Sequence, residues 1–114
     1  MIELTDPEDA KIVTLARSTR ARTGAVEGAC VRDTDGRTYA AASVDLDSLK
    51  LTAIEVAVAM AVSSSAQGLE AVAVLGDSPA PREADLSVVR DFAGTGVTIL
   101  VARPDGTVVD SLTS

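Results

Sequence analysis

The chain predicts an α/β fold, a three-layer α/β/α sandwich around a mixed five-stranded sheet. Three observations carry that expectation. Five short segments rich in Ala, Val, Leu and Ile, at 26–33, 38–44, 71–75, 97–102 and 107–112, have strand length and are bounded by turn residues. Asp35-Gly36 between the first two is a strong hairpin signal that makes them antiparallel neighbours. From residue 48 onward helices and strands alternate, which implies right-handed crossovers and helices on both faces of the sheet. At 114 residues, one domain spanning 1–114 is expected, with a single core burying about two-thirds of the unfolded chain's surface.

Each element has its own warrant. Thr5-Asp6-Pro7-Glu8-Asp9 reads as a helix start, with a capping side chain, a proline whose missing N–H costs nothing there, and acids at the positive end of the dipole. The helix is expected from Pro7 to Ala21, burying a stripe of Ile12, Val13, Leu15 and Ala16. Strands Val26–Asp33 and Thr38–Val44 follow. Ser48–Ala66 reads as a helix that is apolar on nearly every side, the pattern of a central helix packed from several directions, one of them open to a partner subunit. Ala71–Leu75 is a strand, Ser78–Arg82 a proline-containing loop, and Glu83–Phe92 a short helix stopped by Gly94 and Gly96. Val97–Ala102 is a strand that Pro104-Asp105-Gly106 turns into Thr107–Leu112. No internal repeat or linker interrupts the order.

Composition excludes several functions. No apolar run approaches the roughly 20 residues that cross a bilayer, so no membrane span is expected. The opening residues carry Glu3, Asp6, Glu8 and Asp9, unlike the basic start of a secretory signal, and one lone thiol gives no disulfide framework; a cytoplasmic address is expected. A net charge of -7 repels nucleic acid, and Tyr39 and Phe92 alone cannot build a base-stacking platform. With no histidine and only Cys30, the chain cannot hold zinc by nitrogen and sulfur ligands of its own.

The element order, together with Ala16-Arg17, Gly28-Ala29, Asp35-Gly36-Arg37-Thr38-Tyr39, Ser43-Val44-Asp45, Leu51-Thr52-Ala53-Ile54-Glu55 and Val72-Ala73-Val74-Leu75-Gly76-Asp77, resembles the small homo-oligomeric cytidine deaminases over roughly residues 12 to 100. The resemblance implies the sandwich fold, a homo-oligomer of two or four chains, and a nucleoside ligand. It also implies a zinc-activated water, with a Glu two positions after the first metal ligand moving protons. This sequence departs from the family at every ligand: Ala53 stands at the first, and Arg82 and Asp85 at the other two. No metal and no other cofactor are therefore expected. On the substrate side, the resemblance places Ala25 where the family has an aromatic against the pyrimidine, and Ser43 and Asp45 where it binds ribose.

Glu55 is the remnant of the proton-shuttle position. Two roles fit it, a residual proton shuttle or, preferred here, the acid of a capping box Thr52-Ala53-Ile54-Glu55, provided the helix begins there and not at Ser48. Arg82 is expected to place its cation where zinc would stand and to pair with Glu55 or Asp85. Arg17, Arg20, Arg22 and Arg37 either gather into an anion site or, preferred, complement the first helix's dipole. Ser78, without a histidine to activate it, belongs to a turn; Asp33 and Asp35 lack a recognised divalent-ion spacing; Cys30 reads as a core residue. Three functions follow: an inactive, zinc-free deaminase homologue serving as an oligomeric scaffold, a metal-free nucleoside or nucleotide sensor, and an enzyme with relocated chemistry around Glu55 and Asp45.

Overall fold

The computed structural model describes residues 1–77 and 81–114. Helix α1 spans Pro7–Thr23, strands β1 to β4 span Glu27–Asp33, Thr38–Ala42, Val44–Asp45 and Lys50–Leu51, and helix α2 spans Ala53–Ser63. Strand β5 covers Leu69–Gly76, α3 Glu83–Ala93, β6 Thr98–Ala102 and β7 Val108–Thr113. The main sheet has five strands in the order β2-β1-β5-β6-β7, and it is mixed: β5 and β6 run parallel through the α3 crossover while every other neighbour pair is antiparallel.

Strand alternation sorts the core into two faces. Ala29 and Val31 of β1, Val72 and Val74 of β5, and Ile99 and Val101 of β6 pack against α2 and α3. Cys30, Ala71, Ala73, Leu75, Leu100 and Ala102 point the other way, onto Ile12, Val13 and Ala16 of α1. Small residues let α1 come close to the sheet, and at Gly28 the backbone of Ala16 and the side chain of Arg20 leave no room for a Cβ.

Helix α1 begins as its sequence dictates, with the Asp6 carboxylate accepting from the Glu8 N–H at 2.9 Å and Pro7 in the first turn. It runs two residues past Ala21 and ends at Gly24, whose φ of 69° is the left-handed geometry that a glycine adopts without strain. The Asp35-Gly36 hairpin is held by Asp33, which is buried. Its carboxylate accepts from the N–H groups of Asp35 and Arg37, both at 2.9 Å, and from the Tyr39 hydroxyl at 2.8 Å. Burial pushes the Asp33 carboxyl up, but the Tyr39, Arg37 and Asp35 hydrogen bonds together outweigh it and hold the group below the usual carboxylate value.

One boundary differs from expectation in a way that matters. The helix read from Ser48 starts only at Ala53, because Lys50–Leu51 instead pairs antiparallel with Val44–Asp45 in a small two-stranded ribbon. Periodicity cannot separate a two-residue strand from the helix that follows it. Helix α2 packs on β1 and β2 with one side and on α3 with another, while Met60 and Val62 remain 39% and 52% exposed.

Candidate functional site

Helices α2 and α3 start at the same place. The backbone N–H groups of a first turn have no partners within the helix, and the dipole leaves positive charge there. At α2 a complete capping box answers both needs: the Glu55 N–H donates to Thr52 Oγ1 at 3.1 Å, and the Thr52 N–H donates to Glu55 Oε1 at 2.8 Å. At α3 the Arg82 N–H donates to Asp85 Oδ2 at 3.0 Å, and Arg82, whose side chain has no acceptor, cannot complete the reciprocal bond. A direct link joins the two starts. Thr52 Oγ1 donates to Asp85 Oδ1 at 2.6 Å, so the buried Asp85, 3% exposed, gives one oxygen to each helix.

The Arg82 guanidinium lies 3.7 Å from Glu55 Oε1 and 3.9 Å from Asp85 Oδ1, pairing with both acids as expected. Its position differs from expectation, since the side chain is 61% exposed and covers the acids from the solvent side instead of entering the interior. The carboxylates are already bonded to Thr52 and to backbone, and burying a guanidinium would cost several kcal/mol of desolvation. At this exposure and length the pair adds on the order of 1 kcal/mol or less.

Beside the junction lies an open cleft of about 240 Å³, below the roughly 300 Å³ at which drug-sized ligand pockets begin. Val26, Val44 and Leu51 form its apolar wall, and Ser43, Thr52 and Arg82 contribute polar groups. Asp45, at its edge, is paired with Lys50 at 3.2 Å, both side chains being largely exposed. Glu27 of β1 also lines it, half-buried, its N–H donating to Ser43 Oγ at 3.2 Å. Burial pushes the Glu27 carboxyl above its ordinary value; the Ala53 N–H pulls it down, the Asp85 charge pushes it up, and Arg82 pulls it down, with the upward effects prevailing.

Glu27 escaped the sequence reading. Its one signal was a carboxylate at the start of an otherwise apolar strand, immediately before Gly28-Ala29. Of the residues singled out from sequence, Ser43, Asp45 and Arg82 meet at the cleft, with Glu55 and Asp85 behind Arg82. Ala53 is buried at the first position of α2. Ala25 is half-buried after α1 and is not part of the cleft wall, which takes its neighbours Val26 and Glu27 instead.

The arginines do not converge. Arg20 donates to the Val26 carbonyl at 3.0 Å and pairs with Asp77 at 3.4 Å, Arg37 sits on the hairpin turn, and Arg17 borders a separate cavity with Asp105 and Gly106. Cys30 is buried and its thiol is pushed up to about 11 by burial, as a core residue's would be. Ser78 lies outside the described residues. Among the described residues no group of three or more His, Cys, Asp or Glu side chains is arranged to hold a metal ion, the Asp33 and Asp35 turn included.

The sequence profile described as cytidine deaminase-like matches residues 5–106. The chain belongs to the cytidine deaminase-like family. Its fold is similar to that of the cytidine deaminase from Burkholderia pseudomallei, with a TM-score of 0.80 at 19% identity over 90% of each chain. The Mycobacterium leprae cytidine deaminase gives 0.75 at 20% identity, covering 95% of this chain and 94% of that one. The Mycobacterium tuberculosis cytidine deaminase gives 0.72 at 24% identity, covering 82% and 85%. No protein of curated function matches the sequence.

Zinc, which the resemblance to cytidine deaminases implies, is best held by thiolate, imidazole and carboxylate donors. The three positions that the resemblance assigns to metal ligands carry a methyl group at Ala53, a guanidinium at Arg82 and, at Asp85, a carboxylate with both oxygens already accepting hydrogen bonds. These residues do not fit the ion.

Proposed function

We propose that the chain is a catalytically inactive, zinc-free member of the cytidine deaminase-like family that works as a homo-oligomeric scaffold. The observation that carries this reading is the Thr52–Asp85 hydrogen bond, which ties together two helix starts at the positions aligned with the family's metal ligands. Glu55, the remnant proton shuttle, is engaged by the Thr52 N–H and covered by Arg82, so it serves the fold. A base in that position also lacks the metal that would lower a water's pKa to near 7. Relocated chemistry around Glu55 and Asp45 finds little support, since Asp45 is exposed and paired with Lys50.

Self-association is supported by Met60 and Val62 on the outer side of α2, where apolar side chains remain in water. The open cleft favours a second reading, a metal-free sensor of nucleosides. An ammonia-release assay on cytidine, run with added zinc, is expected to give the uncatalysed rate, while light scattering gives a dimer or tetramer. Turnover of cytidine, or a monomer at working concentration, overturns the scaffold reading.

A further inference from the structure

We propose that the cleft beside the α2–α3 junction binds a small organic cation, an amidinium or primary ammonium carried on an apolar body, through the Glu27 carboxylate. The charges around the cleft leave Glu27 without a counter-ion. Lys50 is taken by Asp45 at 3.2 Å, and Arg82 by Glu55 and Asp85. Arg20 of α1, which reaches the Val26 carbonyl next to Glu27, is paired with Asp77. No cation of the described residues lies within 4 Å of Glu27, and residues 78–80 are Ser, Pro and Ala, which carry none.

A half-buried carboxylate facing a cleft is costly when ionised and unpaired. The neighbouring charge of Asp85 makes it costlier still, and the Arg82 guanidinium offsets only part of that. The Ala53 N–H lies close enough to draw the Glu27 carboxyl down, but most of its roughly four lone-pair positions stay open. A planar amidinium fills the rest by offering two parallel N–H groups to one carboxylate. Ser43 Oγ, beside Glu27, and the cleft-lining Thr52 supply neutral hydrogen-bonding edges for such a head group. Val26, Val44 and Leu51 suit an apolar body, and the small volume limits it to about one ring.

The inference rests on the proposed reading only in taking the cleft as metal-free, and its test is separate. Benzamidine titrated into the full chain by calorimetry is the probe, with neutral benzamide as the isostere. Benzamidine is expected to bind at least about tenfold more tightly than benzamide, because the gain comes from a charge-assisted pair. Glu27→Gln should remove that difference, whereas Glu3→Gln, in the exposed N-terminal segment, should leave it intact. In the unmodified protein the affinity for benzamidine, which stays protonated throughout, should fall on going from about pH 8 to about pH 4 as Glu27 takes up its proton. That arm holds even if Glu27→Gln misfolds. Equal binding of the two probes, no binding of either, or an affinity independent of pH overturns the proposal. Stoichiometric zinc would overturn the metal-free reading and is read by metal analysis, independently of these titrations.

Discussion

Asp85→Ala is expected to lower the unfolding free energy by about 3 kcal/mol, since hydrogen bonds to a charged group contribute roughly 1.5–3 kcal/mol each and two are lost together. The Thr52 hydroxyl and the Arg82 N–H lose their acceptor, and the starts of α2 and α3 lose the hydrogen bond that joins them, keeping only the longer Arg82–Glu55 ion pair among the described residues. Asp85→Asn keeps the shape and one acceptor oxygen, so it should cost about half as much. Urea unfolding that moves the midpoint without changing the slope is the measurement. If Asp85→Ala falls within about 0.5 kcal/mol of the parent, as ordinary surface changes do, the junction is not what secures these helices.

Gly28→Ala should cost a similar amount or more for a different reason. A Cβ at residue 28 would lie under 3.0 Å from the Ala16 carbonyl oxygen and 2.8 Å from Arg20 Cβ, both on α1. The first is backbone that cannot swing aside, so the helix must lift from the sheet along the Ile12, Val13 and Ala16 face. Overpacking of this kind typically costs about 1–3 kcal/mol, and the fixed backbone obstacle puts this case at the upper end or beyond. A variant as stable as the parent in the same urea experiment would mean that α1 sits farther from β1 than described.

Much of the fold was legible because local chemistry and global pattern agree in this chain. Asp6 before Pro7 marked the start of α1, Asp35-Gly36 marked the hairpin, and the apolar runs marked β5 and β6, which the structure places inside the sheet's edges. The short β3–β4 ribbon was hidden, since Leu49 and Leu51 continue the apolar pattern of α2 and only the pairing of Lys50 and Leu51 across to Val44 and Asp45 distinguishes the strand. The capping role of Glu55 was visible in Thr52-Ala53-Ile54-Glu55 and became definite once the helix start fell at Ala53. Asp85 was found by its place in the resemblance, but its bond to Thr52 spans 33 residues and no local rule reports it. Glu27 was missed for a related reason: sequence alternation shows that a carboxylate sits on a strand, and it does not show that a cleft opens in front of it.

The most direct test of the central claim, that hydrogen bonds have replaced metal coordination at the α2–α3 junction, is the zinc content of the purified chain after equilibration with excess Zn²⁺ and removal of free ion. Far less than one zinc per chain is the result predicted by a methyl, a guanidinium and a carboxylate already accepting two hydrogen bonds at the three positions that the resemblance assigns to metal ligands. One zinc per chain, lost together with Asp85→Ala, would contradict it.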